Sequence, residues 1–374
     1  MTTSAHRPDS SPEGIRFLKA GNTTRERFFG RMEELGLNRY VESTKSGDDL
    51  IFQIDKKFAG LWMSQGDTTH LSRDMKYDIF NNSNDLEREI LLALLAGPRA
   101  FEYPSYEEFS ATVNIRHNIV TEACRTQLAF HTDEVNRPTD YWTYSEKKGF
   151  TILPGKPLVA ALKKATQPDS SGRLYSFSCY RATEYVILLS IAQELAMVNP
   201  PLLEKLQSQW EVEAIMSGKF HDVFLREYGS LADPLPTQYY VPGDRVWFRN
   251  PDEYSSNISG YEGSWVFYLG GGLFSNFWKR DQPYTLTTKC IEIFHWRHGA
   301  LVSDDGKLSM DEVVVETRTH QTLNDSTEIT RILRETTKLR DPQGLYANGG
   351  CIDASREFPR MVSPGTADIL LPSH

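Results

Sequence analysis

The sequence predicts an α+β protein built from a mostly helical first half that feeds an antiparallel sheet. Three observations carry that prediction. Apolar residues recur at helical spacing up to about residue 201, β-branched and aromatic runs separated by Gly, Pro, Asn or Asp take over from Asp244, and no βαβ alternation is present. No G-x-G-x-x-G follows a strand, so nucleotide binding has no sequence support.

Taken in order, residues 23–36 read as a short helix stopped by Gly36, and residues 49–65 as a strand followed by a helix around Phe58, Leu61 and Trp62. Residues 84–95 start at an Asn suited to capping and end at Gly97-Pro98. Residues 105–128 form a longer amphipathic helix with Phe109, Val113, Ile119 and Val120 on one face. Short strands at 141–143 and 150–153 flank the turn Glu146-Lys147-Lys148-Gly149, and a helix follows over 156–165. The segment 175–201 begins with serines and stops at Pro200-Pro201. Its apolar positions wrap nearly the whole circumference, leaving a polar stripe of Thr183, Ser190, Gln193 and Glu194, so this helix is expected to be buried. Strands are expected at 244–249, 264–270, 291–296 and 312–320, with a hairpin turn at Gly270-Gly271-Gly272. Residues 1–14 read as a disordered leader, and the Pro- and Gly-rich stretch from Asp341 as an irregular tail over the body.

Composition narrows the function. The chain has 374 residues, 39 % of them hydrophobic and 11 % aromatic, which supports a folded core. Net charge is −9, and without a Lys/Arg-rich run nucleic acid is not an expected partner. The N-terminus has no signal-peptide pattern and no apolar stretch suits a bilayer, so a cytoplasmic location with no membrane partner is expected. Cys124, Cys179, Cys290 and Cys351 form no CxxC pair, which points away from both a zinc knuckle and a disulfide scaffold.

Cys179 is the candidate nucleophile because it opens the buried helix, where the partial positive charge of the N-terminus favours a thiolate. An ordinary packed cysteine is the competing reading, as it is for the other three. A nucleophilic thiol also needs a proton partner. The strand at 244–249 runs into Asn250-Pro251-Asp252-Glu253, so it projects Asp252 and Glu253 at a turn. His295 and His298 flank Trp296, but a metal would need a third ligand, and neither a metal nor another cofactor is expected.

Six fragments together resemble the small bacterial transglutaminases of the spore-coat type. They are Tyr103-Pro104-Ser105, the run from Asn114 to Val120, Tyr141-Trp142-Thr143-Tyr144, Leu174 to Cys179, Gly243 to Pro251, and Val266 to Gly270. The resemblance covers roughly residues 85 to 310. It implies a cysteine-protease-like core with the nucleophile helix packed on an antiparallel sheet, and a catalytic domain over 81–320. Residues 15–80 would then be an N-terminal extension and 321–374 a helical or irregular C-terminal one. It also implies isopeptide bond formation between an acyl donor, such as a Gln carboxamide, and an amine, through a thioester on Cys179. The donor and acceptor are proteins or small molecules. The family's catalytic Glu after its Asn-Pro falls on Asp252 or, with a one-residue shift, on Glu253. Two positions depart from the family. Ser178 stands where a second Glu precedes the nucleophile, and Phe274-Ser275-Asn276-Phe277 stands where a turn carries His, leaving Asn276 as the nearest polar residue. Trp247, Phe274 and Tyr180 are the expected walls of an apolar passage to the thiol, suited to a methylene stem and to excluding water.

Overall fold

The computed structural model describes residues 13–129, 135–215, 217–302, 306–342 and 348–371. Most of the expected leader therefore lies outside the described residues, as do 343–347 and 372–374 of the expected tail. The chain starts with β1 (Ile15–Phe17), α1 (Asn22–Glu34), β2 (Val41–Ser46), β3 (Asp49–Ile54), α2 (Lys56–Trp62), α3 (Leu71–Met75), α4 (Ser83–Leu95) and β4 (Phe101–Tyr103). Strict alternation in β3 buries Leu50, Phe52 and Ile54, which gives the strand one core face. The first sheet has the order β2-β3-β1-β4, and β1 pairs antiparallel with β3 and parallel with β4. Residues 15–54 are thus joined by a ladder to the segment that opens the resemblance.

The helical centre follows with α5 (Tyr106–Arg125), β5 (Trp142–Ser145), β6 (Gly149–Ile152), α6 (Leu158–Thr166), α7 (Cys179–Val198), α8 (Pro200–Val212) and α9 (Ser217–Phe224). Ser105 caps α5 through its hydroxyl, which accepts the Glu108 N–H at 3.1 Å. Helix α7 is buried on nearly every side, Ala182 to Ala192 included, and packs against α5, α6 and α8. A helix apolar all round belongs in the middle of a core.

The second sheet draws on β7 (Leu225–Tyr228), β8 (Arg245–Arg249), β9 (Gly263–Gly270), β10 (Leu273–Phe274) and β11 (Tyr284–Thr285). After it come α10 (Leu286–Gly299), the small hairpin β12 (Ala300–Val302) and β13 (Leu308–Met310), α11 (Glu312–Leu323), α12 (Ser326–Thr336) and β14 (Arg356–Pro359). Its order is β11-β10-β9-β8-β14-β7. In β9, Phe267 and Leu269 enter the main core beside α5 and α7. Val266 and Tyr268 face a second core with Cys290, Ile293 and Trp296 of α10. The period of two divides one strand between two cores. The Gly270–Gly272 turn forms as expected, with positive φ at all three glycines. Buried Glu89 fastens it by accepting the Gly271 N–H at 2.9 Å and the Tyr268 hydroxyl at 3.2 Å.

Three expectations are corrected. Residues 291–296 and 312–320 lie in α10 and α11 instead of strands. Their β-branched and aromatic runs are overridden at the helix starts: Thr285 and Thr288 form a reciprocal capping box, and Asp311 accepts the N–H groups of Val313 and Val314. Tertiary packing adds to this, because α10 has two apolar faces. Cys290, Ile293 and Trp296 face the sheet, whereas Ile291 and Phe294 meet Ile332 of α12. The tail is not merely draped over the body, since β14 is an inner strand of the second sheet, pairing with β7 and β8.

Candidate active site

Cys179 is the first residue of α7, and the exposed Ser178 caps the helix by accepting the Arg181 N–H at 3.3 Å. The helix start faces β9. The backbone N–H groups of Trp265 and Tyr180 are directed at the sulfur, and the cationic ends of Lys289 and Arg245 lie close enough to act on it. Burial nevertheless outweighs these four contributions and pushes the thiol above its ordinary range. The helix terminus does not by itself generate a resting thiolate here.

The cations come from opposite sides. Lys289, in the first turn of α10, is buried with its ammonium 3.9 Å from the Tyr284 ring centre and 3.5 Å from the Glu292 carboxylate. Arg245, at the start of β8, is 1 % exposed. Its guanidinium lies 4.0 Å from the Trp265 ring centre and 4.4 Å from that of Tyr180, so it is held between two aromatic side chains. Its Nε donates to the Thr183 hydroxyl at 2.8 Å and its Nη1 to Glu357 of β14 at 2.6 Å. The other Glu357 oxygen meets His221 Nδ1 at 2.9 Å. That contact raises His221 above the usual imidazole range, while His221 and Arg245 together hold Glu357 below the usual carboxylate range against its burial. Close by, fully buried Glu184 accepts from Arg181 Nη1 at 2.6 Å, and desolvation lifts its carboxyl to about 7.

The expected residues fall into two groups. Tyr180 and Trp247 are at the site. Trp247 pairs across the ladder with Trp265 and stacks on it at 5.7 Å with 12° between the rings, and Tyr180 meets Trp265 edge to face at 5.4 Å. Phe274 points the other way and is fully buried in the second core with Tyr240, Phe248 and Tyr268, which leaves it no surface to offer a substrate. Asn276 is occupied on both ends of its amide, donating to the Gln282 carbonyl and accepting the Lys279 N–H, and so closes a turn.

Asp252 and Glu253 lie past the end of β8. Among the described contacts, Asp252 accepts from the Ser255 N–H and hydroxyl, both at 2.8 Å, and faces Arg297 at 3.9 Å. Glu253 is exposed and contributes its carbonyl to Ser256 and Asn257. Arg297 stands eight residues beyond Lys289 along α10, roughly 12 Å at 1.5 Å per residue. The turn is therefore at the far end of α10 from the thiol. His295 and His298 share a face of α10, their Nδ1 atoms 3.0 Å apart, with His295 Nε2 2.8 Å from the Thr322 hydroxyl on α11. They belong to that helix pair.

Sequence reasoning missed Arg245, Trp265, Lys289 and Glu357. Arg245 lies within the 243–251 run and Trp265 next to Val266, so both were within reach of a reading that asked which strand residues share a face. Lys289 was hidden by taking its helix for a loop and strand, and Glu357 gave no local signal. Among the described residues no group of three or more His, Cys, Asp or Glu is placed to hold a metal ion, and no helix is long and apolar enough to cross a membrane.

Residues 65–350 match the family described as protein-glutamine gamma-glutamyltransferase, and the chain belongs to that family. Protein-glutamine gamma-glutamyltransferases of Bacillus cereus (strain 03BB102) and Bacillus mycoides (strain KBAB4) are 26 % and 25 % identical to it over 197 residues. The matched region is 50 % of this chain and spans 64 % of the length of each relative. A solved transglutaminase from Geobacillus stearothermophilus, without its C-terminal extension, superposes with a TM-score of 0.40 at 17 % identity, covering 58 % of this chain and 98 % of the other.

Proposed function

We propose, from membership of this family and the surroundings of Cys179, that the chain is an acyltransferase of transglutaminase type acting through a cysteine thioester. The Cys179 sulfur attacks a carboxamide carbon, the C–N bond breaks, and ammonia leaves with the proton taken from the thiol. An amine then attacks the thioester carbonyl, forms the amide and returns a proton to the sulfur. Donor and acceptor are a Gln side chain or another acyl group and a primary amine, carried on proteins or small molecules. The chemistry needs a free thiol, as in a reducing cytoplasm.

The observation that carries this reading is the position of Cys179. It opens α7 beside the Tyr180, Trp265 and Trp247 ring stack, with two N–H groups directed at the sulfur and two cations acting on it. Aromatic walls of this kind accept a methylene stem and limit water, which favours amine over water as the resolving nucleophile. A second reading, a binding protein that has kept the fold without turnover, is favoured by the upward shift of the thiol and by the distance of Asp252 along α10.

Incubating the purified chain with a dansylated amine and a Gln-rich protein separates the two. Time-dependent labelling that is lost in Cys179→Ala is expected for the acyltransferase. No labelling between pH 7 and 9.5, with the wild-type fold intact, assigns the chain to the second reading.

A further inference from the structure

Arg245 is a buried cation packed against Tyr180 and Trp265, the two residues whose N–H groups point at the Cys179 sulfur. The side chain is 1 % exposed, and four neighbours fix it: Thr183 on Nε, Glu357 on Nη1, and the Tyr180 and Trp265 rings. Nη2 is buried and has no hydrogen-bond partner among the described residues. Thr183 is four residues from Cys179 and so stands on the same face of α7, one turn along. Glu357 is opposite Arg245 in the β14–β8 ladder, so both side chains point to the α7 side of the sheet. Glu357 divides its two oxygens between Arg245 and His221, which leaves the guanidinium charge only partly offset. Glu357 also lies outside the segment 65–350 that matches the family.

We propose that Arg245, held in place by Glu357 of the C-terminal strand, stabilises negative charge on Cys179 alongside Lys289. The inference rests on Cys179 being the nucleophile. An arginine cannot accept the thiol proton at any working pH, so its part is electrostatic. It lowers the free energy of the thiolate and of the sulfur as it leaves the thioester, in a site where burial strengthens each charge. The other charged groups around it are Lys289 from α10, Arg181 and Glu184 from α7, and His221 from α9. The tail is then part of the site, because without β14 the guanidinium loses its anchor.

The test is the rate of iodoacetamide alkylation of Cys179 in the full chain against pH, with the modified cysteine identified by peptide mass spectrometry. Arg245→Met is expected to move the profile up by about one pH unit, which is roughly a tenfold slower reaction at any pH below the thiol's pKa. Arg245→Lys keeps the charge but loses the fork and is expected to move it less. Glu357→Gln keeps an acceptor oxygen and removes an opposing charge, so its profile should move down. Glu357→Ala releases the guanidinium, so its profile should move up. A merely structural role would move neither in this sign-specific way. Superposition of the Arg245→Met and wild-type profiles, with near-UV circular dichroism preserved, overturns the proposal. If Arg245→Met fails to fold, equal-signed shifts in the two Glu357 variants overturn it instead. Alkylation requires no acyl substrate, so an Arg245-dependent profile in a chain that incorporates no amine sinks the acyltransferase reading alone. Amine incorporation with an Arg245-independent profile sinks this inference alone.

Discussion

The two faces of the second sheet both carry cysteine, half-buried Cys179 on one and buried Cys290 and Cys351 on the other, and they treat it differently. On the α7 face, Cys179 has two backbone N–H groups and two cations to oppose its desolvation. On the α10 face, Cys290 and Cys351 are fully buried among Val246, Phe248, Val266 and Ile352. Cys351 is driven well above the ordinary thiol range, first by its hydrogen bond to Cys290 and then by burial. Cys124, half-buried on α5, is raised to about 11 by desolvation alone against a weak pull from Arg125. Burial by itself makes a thiol inert. What sets Cys179 apart is the polar and cationic supply from the start of β9, the start of β8 and the first turn of α10.

The sharpest way to break that contrast is to exchange the thiols. Cys179→Ala is expected to abolish amine incorporation, whereas Cys124→Ala, Cys290→Ala and Cys351→Ala keep turnover within about twofold and lose only packing stability. Loss of activity in one of the last three, with its melting temperature preserved, would place the chemistry on the other face. Next in size is the anchor of β8. Arg116 and Asp244 form a fully buried ion pair at 2.7 Å, and Asp244 also accepts the Val241 N–H. Asp244→Ala should cost about 3–5 kcal/mol in denaturant unfolding, because it strands a buried guanidinium. A cost under 1 kcal/mol would remove the pair as the anchor that sets Arg245 beside the thiol.

Smaller effects test whether the α10 face is independent of the site. Removing the α11 cap by Asp311→Ala should cost about 1 kcal/mol and leave the Cys179 alkylation profile in place. His295 is pushed down to about 4 by burial and by His298, Arg318 and Arg297. Its folded pKa is below the unfolded one, so between roughly pH 6.5 and 4 the unfolded chain binds more protons and stability falls as the pH drops. His295→Gln should therefore lose less melting temperature than wild type between pH 7 and 4.5; equal losses would discount this histidine. The smallest effects belong to Asp252→Asn and Glu253→Gln, expected within about 0.5 kcal/mol in stability and near-normal in rate. A 10²-fold loss of rate in either would restore the turn as the acid–base partner.

What was legible in the sequence was local or periodic. The all-round apolar pattern of 179–198 requires burial, Ser178 and Ser105 are caps by residue type, and Gly270–Gly272 allows a turn that few other sequences would. Position on α7 singled out Cys179 from four cysteines. The aromatic, β-branched run at 291–296 was misleading because a cap outside it, Thr285 with Thr288, and burial on two faces decided for helix.

The sequence by itself determined which helix is central, which cysteine opens it, and that the aromatic side chains of Tyr180 and Trp247 are available near it. It could not determine the charges at the sulfur. Arg245 and Glu357 are separated by 112 residues and meet only through the β8–β14 ladder. Lys289 acts on the thiol only because α10 packs on the Val266 and Tyr268 face of β9. Such contacts depend on which strands are neighbours and on which face each side chain leaves, and both are fixed by long-range pairing whose register no short window of sequence contains. The same physics moved the expected partner away: Asp252 follows β8 in sequence, but it sits at the Arg297 end of α10, eight residues along that helix from Lys289.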